Sequence, residues 1–469
     1  MMLLWLRNDL RLVDNPALFY ACEARQGVVA VVTLTPGQWR EHDESPLRMS
    51  LWRDRLREVA GALGELNIPL KVLRLDRFGD VAPALCDLAA ELRATELYFN
   101  YEYPLNERQR DREVCRMLES TGVSCRGYHG ELIIPPGQVL TGQGTPFKVF
   151  TPFSRRWRQQ LMTRDVQPLG LPSGQPVSSV NSDSIPDDYD PGYDPGYEVA
   201  EYSRDLWPAG EAAISSRLQS FIAEQVLDYR EQRDFPSVEG TSRISPYLTI
   251  GALSPRQCLN GLIAGSANDG WLDSTWLNEL VWREFYRHLL VAFPGQSRLE
   301  PFRPEVEARI SWQHQDEAFA AWCRGETGYP LVDAAMKQLL HTGWMHNRLR
   351  MLVASFLTKL LRVDWRRGAA FFMQHLIDGD FASNLGGWQW CASVGADAAP
   401  YFRIFNPQRQ SERFDPDAAF IKNWLPELAS LPAAKCHLPG AGHSLGRPAP
   451  IVDYRSARQS ALDDYAAHN

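Results

Sequence analysis

The chain has 469 residues, 44% hydrophobic and 23% charged, too many for one ordinary core and typical of a multidomain globular protein. A formal net charge of −8 argues against a generic nucleic-acid binder, and eight scattered cysteines with no CxxC pair suggest neither a metal site nor a disulfide frame. The N-terminal run MMLLWLRNDLR is too short for a signal peptide and no apolar stretch is long enough for a membrane span, so a cytoplasmic protein without a membrane partner is expected.

Residues 1–130 alternate short apolar runs with amphipathic stretches. Strands are predicted at Leu3–Leu6, Val28–Leu34, Leu70–Leu75 and Glu96–Asn100. Helices are predicted at Asn15–Arg25, Pro46–Leu66, Val81–Arg93 and Asn106–Ser120. This alternation implies an α/β domain with a parallel, doubly wound sheet, where ligands sit beyond the carboxyl ends of the strands. GxGxxG and GxxxxGK[ST] are both missing, so a redox dinucleotide is not expected here. Residues 131–205 form the connection to a second domain. Pro, Gly, Ser and Asp dominate from about 165, and Tyr189–Glu198 doubles a DPGY motif, as expected of a surface linker.

From 206 to 469 the strand pattern gives way to helical periodicity, predicting an all-α domain. Helices are expected at Glu211–Glu224, Ser254–Gly265, Ser274–Phe293, Tyr329–His341, Trp344–Leu361 and Trp365–Leu376. Ser254 is a natural N-cap, with Pro255 at the first helical position. In Glu239–Ile250, Thr241, Ser242 and Ser245 gather hydroxyls and amides before a helical run. Such a group either caps a helix or cradles a pyrophosphate. Glu279, Trp282, Arg283 and Tyr286 follow i, i+3, i+4, i+7 spacing and so share one helix face. That face is poor core material. The region 276–413 holds 16 Lys+Arg against 14 Asp+Glu, leaving 33 against 43 elsewhere. It is basic relative to its surroundings, which suits a local phosphate-binding face.

The densest chemistry lies in 378–407, DGDFASNLGGWQWCASVGADAAPYFRIFNP. Acids, an amide and glycines sit among large aromatics; glycine lets backbone approach a flat ligand, and indoles supply apolar faces. The spacing reads as a glycine-rich turn. This stretch, with TGWMHNRLRM at 342–351, resembles the flavin-binding signature of the DNA photolyase and cryptochrome family. The resemblance runs nearly end to end and is strongest to bacterial class I enzymes that repair cyclobutane pyrimidine dimers and carry a folate antenna.

The resemblance implies light-driven repair by electron transfer from excited FAD, active in its reduced, anionic form, in a monomer that binds dimer-containing DNA. It assigns residues 1–130 to an antenna domain, 131–205 to the linker, and 206–469 to a helical FAD- and DNA-binding catalytic domain. It implies FAD contacts at Tyr229, Thr241, Ser242, Arg243, Ile244, Ser245, Trp276, Asn347, Arg350, Asp378, Gly379, Asp380 and Asn384, with Arg350 pairing Asp378. It places Glu279, Trp282, Met345, Asn384 and Trp390 at the lesion, and Arg233, Glu279, Trp282, Arg283, Tyr286, Asn347, Arg348 and Arg409 on DNA. Spacing allows Met345 and Arg348 to share one face, and Arg283 is expected to meet phosphate. Trp312, Trp365 and Trp388 match the family's electron-transfer chain. NER at 106–108 resembles the folate-contacting motif, so Asn106 and Glu107 are expected to hold 5,10-methenyltetrahydrofolate. Relatives carry a lysine where Arg298 or its neighbours stand here, which keeps a deazaflavin antenna as the alternative. Leu385 replaces a second asparagine, and Asn347 after His346 favours the cyclobutane dimer over the (6-4) photoproduct. The rival reading is a cryptochrome-type photoreceptor with the same fold; a weaker one is a flavin-free structural module.

Overall fold

The computed structural model describes residues 1–186, 200–266 and 268–466. The doubled DPGY motif lies outside them. Two compact units divide the chain, one of residues 1–226 and 242–297, the other of 227–241 and 298–469.

The first unit holds a five-stranded parallel sheet in the order β3-β2-β1-β4-β5. Its strands are β1 Met2–Leu6, β2 Val28–Leu34, β3 Leu70–Arg74, β4 Glu96–Asn100 and β5 Ser124–Tyr128. Met2 is in register with Val28 on one side and Glu96 on the other. Every residue of β1 and β2 is buried, as parallel strands covered on both faces require. β5 escapes the sequence reading because it is a half-exposed edge, SCRGY, with no apolar run.

Helices α1 Pro16–Glu23, α2 Pro46–Glu65, α3 Val81–Glu91 and α4 Leu105–Ser120 cover the sheet. Asn15 caps α1 by accepting from Leu18 N at 3.2 Å, while Pro104 rather than Asn106 stands at the cap of α4. Within the linker, Ser182 and Asp183 lie along the β3 edge. Asp183 N donates to Leu70 O at 2.8 Å, Leu70 N donates to Ser182 Oγ at 3.1 Å, and Val72 N donates to Asp183 Oδ2 at 2.9 Å.

This unit also holds the longer helices α5 Phe150–Leu161, α6 Glu211–Glu224, α7 Pro255–Gly265 and α8 Thr275–Ala292. Ser254 caps α7 in a capping box with Gln257. The segment 242–297 is tied to the sheet side by buried polar groups. Arg11 donates to Gly251 O at 2.9 Å and Gly130 O at 2.7 Å, and Arg256 pairs with Asp14 at 3.0 Å. Gly251 has φ +67°, and a Cβ there would meet Asn8 O at 2.1 Å, so only glycine fits.

Buried Glu284 on α8 accepts from Ile133 N, from Ile134 N at 3.2 Å and from Trp157 Nε1 at 2.6 Å. Burial pushes its carboxyl up to about 7, against the pull of those donors.

The second unit is helical: α9 Pro330–Thr342, α10 Asn347–Ser355, α11 Trp365–His375, α12 Phe381–Ala392, α13 Pro407–Phe414 and α14 Tyr454–Ala466. The helix expected from Trp344 starts three residues later. Gly343, at φ 69°, ends α9, and His346 caps α10 by accepting from Arg348 N at 3.2 Å. The expected glycine-rich turn around Trp388 and Trp390 is helix α12, capped by Asp380, which accepts from Ser383 N at 2.8 Å. Tertiary packing overrides the two central glycines here. α10 continues as a π-helical turn, Phe356–Leu360. Lys359 within it is fully buried, donates to Ser393 Oγ at 2.8 Å and lies 3.7 Å over the Tyr465 ring. No helix among the described residues is long and apolar enough to cross a membrane.

Two expectations follow. Glu284→Ala strands three N–H donors and should cost about 3–5 kcal/mol, read as a lower urea midpoint; an unchanged midpoint would show that water replaces the carboxylate. Burial pushes Lys359 down to about 7, whereas the unfolded chain keeps that proton until about pH 10. The unfolded state thus binds more protons between those values. Stability owed to this group should be flat below pH 7 and rise from 7 towards 10. Lys359→Met should remove that rise in urea titrations across the range, and an identical slope in the variant would refute the assignment.

Candidate photochemical and DNA-binding site

In the first unit, α8 carries the candidate wall. Glu279, Trp282 and Tyr286 are half-buried on its open side. Arg283 does not join them. It is buried, donating to Glu131 O at 2.8 Å, Glu131 Oε1 at 3.0 Å and Leu248 O at 3.3 Å. The expectation that Arg283 meets phosphate is therefore corrected: i+4 spacing put it near the face, but a carboxylate and two carbonyls hold its guanidinium inward. Arg287 also pairs with Glu131, and His288 Nε2 contacts Ile134 O at 2.9 Å. Trp276, 3% exposed, donates to Ser242 Oγ at 3.3 Å and packs on Phe221 at 5.2 Å.

Ser242 opens the loop that leads to the short helix Ser245–Thr249, with Ile244 at its cap. Arg243 between them has φ 49°, a left-handed conformation costly for a side chain with a Cβ. Thr241 ends the 227–241 segment of the second unit.

The candidate antenna residues sit in the first turn of α4. Asn106 Nδ2 lies 2.9 Å from His42 Nε2, and Glu107 Oε1 lies 3.5 Å from His42 Nδ1. Burial, then the nearby Glu102 charge, pushes Glu107 up to about 8. Its buried Oε2 has no hydrogen-bond partner among the described residues. Phe78 meets His42 edge-on at 5.5 Å, and Arg110 lies 4.5 Å over Phe78. The sequence reading missed His42 and Phe78, which carry no motif. The crevice beyond β1 and β4 is narrowed by the chain's own paired groups: Arg7–Asp111 at 2.9 Å, Arg110–Glu102 at 2.6 Å and Asn100 donating to Asp9 at 2.7 Å.

In the second unit, Arg350 pairs with buried Asp378 through two contacts of 2.8 and 3.0 Å, and its Nε donates to Met345 O at 2.8 Å. Met345 is fully buried and precedes α10, so no helix face joins it to Arg348. That corrects the spacing argument. Asn347 is exposed. Arg348 pairs with Asp234 at 2.6 Å and lies 4.3 Å over Phe414. Arg233 lies 5.3 Å over Tyr229. Arg409 is exposed in the first turn of α13, near exposed Arg403 and Arg413, two arginines the motifs did not single out.

α12 presents Asn384, Gly387 and Trp390 at three-residue spacing on a half-open side. Asn384 Nδ2 donates to Ala369 O at 2.9 Å, which anchors the amide through its NH2 end. A Cβ at Gly387 would meet nothing within 4 Å, so this side has open room beside the amide. Gly379 lies in the turn before α12. The donor set suits a flat, polar-edged flavin: an ion pair, an amide oxygen and a glycine surface.

The opposite side of α12 buries Trp388, which packs on Phe372 at 5.1 Å and Trp322 at 6.1 Å. A Cβ at Gly368 would lie 2.1 Å from Trp388 Cη2. The indole therefore lies directly on α11, one turn from Trp365. Trp365 is fully buried and donates to Glu307 at 2.8 Å, while Trp312 is half-buried.

Residues 276–467 match the FAD binding domain of DNA photolyase, and residues 2–173 match the DNA photolyase family. The chain is 45% identical to a deoxyribodipyrimidine photo-lyase of Escherichia coli, over 99% of this chain and 98% of that one. It is 44% identical to the Vibrio cholerae enzyme of the same name, over 99% of each. Among solved structures, a bacterial class III photolyase from Agrobacterium tumefaciens superposes with a TM-score of 0.84 at 33% identity, covering 99% and 97% of the two chains. A Synechocystis cryptochrome gives 0.84 at 28% identity, covering 99% and 98%. The matched family regions span both units, and full-length relatives share more than two fifths of their residues with it: the chain belongs to the DNA photolyase family.

Proposed function

We propose that this chain is a light-dependent deoxyribodipyrimidine photo-lyase that opens cyclobutane pyrimidine dimers in DNA. The observation that carries the reading is 45% identity along 99% of the chain to a photo-lyase, not to a photoreceptor. FAD, when bound and reduced, supplies the photoexcited electron donor. The chain's residues bind, orient and exclude water around it. Arg350 and Asp378 offer a charged edge whose burial is costly unless a polar ligand completes it. Asn384 offers an amide oxygen, and Ser242, Arg243, Ile244 and Ser245, with Thr241 and Tyr229, offer hydroxyls and amides to the diphosphate. Asp380 and Gly379 shape the turn beneath, and Trp276 and Asn347 flank the cofactor.

At the lesion, Trp282 and Trp390 supply apolar faces, Glu279 accepts from a base imide, and buried Met345 supports the floor from behind. Extruding a dimer costs a few kcal/mol, less for a poorly stacked lesion, which favours damaged sites. Tyr286, Arg233, Arg348 and Arg409 track the DNA strand. Asn106 and Glu107 hold a folate at the rim of the first unit. The narrow, polar crevice beyond β1 and β4 favours a rim antenna over a deazaflavin seated inside the sheet. Residues 1–130, 131–205 and 206–469 serve as antenna domain, linker and catalytic domain, in a cytoplasmic monomer.

The deciding experiment exposes a defined cyclobutane dimer and a defined (6-4) photoproduct to blue light with reduced enzyme. Splitting of the dimer alone is expected. Splitting of the (6-4) substrate alone would change the subclass, and splitting of neither would favour the photoreceptor. Trp388, Trp365 and Trp312 are the relay that re-reduces oxidised enzyme. Gly368→Ala should push the Trp388 ring off α11, destabilise the fold by about 1–3 kcal/mol, and slow blue-light reduction of oxidised enzyme while sparing repair by pre-reduced enzyme. Equal photoreduction rates in the two proteins would remove Trp388 from the relay.

A further inference from the structure

We infer that Phe150 is a positioning residue for lesion recognition, holding one face of Trp282 so that the opposite face is ready for the extruded dimer; this rests on the reading of Trp282 above. The two rings lie with centroids 3.6 Å apart and planes 4° from parallel. Aromatic pairs left to themselves prefer offset or edge-on arrangements, so the near face-to-face stack is imposed by its surroundings. Buried Phe285 meets both rings edge-on, Phe150 at 5.9 Å and 72° and Trp282 at 5.7 Å and 75°. The two rings stand side by side on this third one.

Phe150 is the first residue of α5, and α5 is locked to α8 along its length. Phe153 packs on Phe285 at 5.1 Å, Trp157 donates to Glu284 at 2.6 Å, and Arg158 donates to Asn278 at 2.7 Å. The plate behind Trp282 is thus carried by a helix with its own buried anchors. An indole has two faces. With one in contact with Phe150 and Tyr286 tilted against the ring at 5.5 Å and 32°, a stacking base is left the face opposite Phe150, and the ring it meets has already lost its side-chain freedom.

The test compares wild type, Phe150→Ala, Trp282→Ala and the double variant, with Phe150→Tyr as the conservative change. Binding to a duplex with one defined cyclobutane dimer and to the undamaged duplex is measured, along with FAD per chain. Phe150→Ala should weaken dimer binding about 3- to 10-fold and leave undamaged binding, which rests on phosphate contacts, near wild type. FAD content should hold, and Phe150→Tyr should restore binding. In the Trp282→Ala background, removing Phe150 should cost nothing further. Tighter dimer binding by Phe150→Ala would put Phe150 on the lesion face and overturn the inference. Additive losses, or loss of FAD, would assign Phe150 a merely structural role and overturn it too. If Phe150→Ala does not fold, Phe150→Leu keeps the bulk without the ring; wild-type dimer binding by that variant overturns the inference, and an intermediate loss supports it. Loss with Trp282→Ala but none with Phe150→Ala sinks this inference alone, whereas no loss with Trp282→Ala sinks both it and the reading of Trp282.

Discussion

In the first unit, the candidate wall depends on how the hidden side of α8 is held. A helix that offers an indole, a phenol and a carboxylate to a ligand cannot be kept in place by those groups. Here the anchoring falls to polar groups on the inner side: Glu284 takes three N–H donors, and Glu131 takes the guanidinium groups of Arg283 and Arg287. Such contacts are directional, so they set the rotation and height of the helix as apolar packing alone would not. They are also unforgiving, because removing one partner strands the others away from water.

The second unit follows another logic, that of close approach. α12 and α11 touch where Gly368 leaves room for Trp388, so one face of α12 is fully occupied by packing. The other keeps a glycine and an indole half-open, beside an amide anchored on Ala369 O. Arg350 and Asp378 add a strongly polar contact, with the carboxylate only 3% exposed. A buried pair of this kind is a modest stabiliser at best, which is why a role toward a ligand is the more economical account of its presence.

Much of this was legible in the chain. The apolar runs that became β1, β2 and β4 are continuous because both sheet faces are covered, and Ser254-Pro255 announced α7 through cap chemistry alone. The candidate residues came from motif resemblance, and the structure brings Arg350 to Asp378 and Trp276 to Ser242. Other features had no local signal. β5 is polar because it is an edge. The helix at 381–392 defied its Gly-Gly pair because neighbouring helices stabilise it. Arg283 turned inward because its partner, Glu131, lies 152 residues away. Phe150, Gly368 and His42 matter through contacts with residues remote in sequence, and no periodicity records such contacts.

The strip of linker along β3 has a consequence for how the protein tolerates change. A bare parallel edge is a template for any extended strand, whether from a second molecule or a misfolded neighbour. Ser182 and Asp183 occupy that template from within the same chain, with Lys71 closing over Asp183 at 2.5 Å. A segment whose composition reads as an indifferent spacer therefore acts as a selvedge that stops the sheet from unravelling into aggregates. Extra residues inserted just before Ser182 would slip that seam out of register, so the linker has less freedom in length than its glycines and prolines suggest.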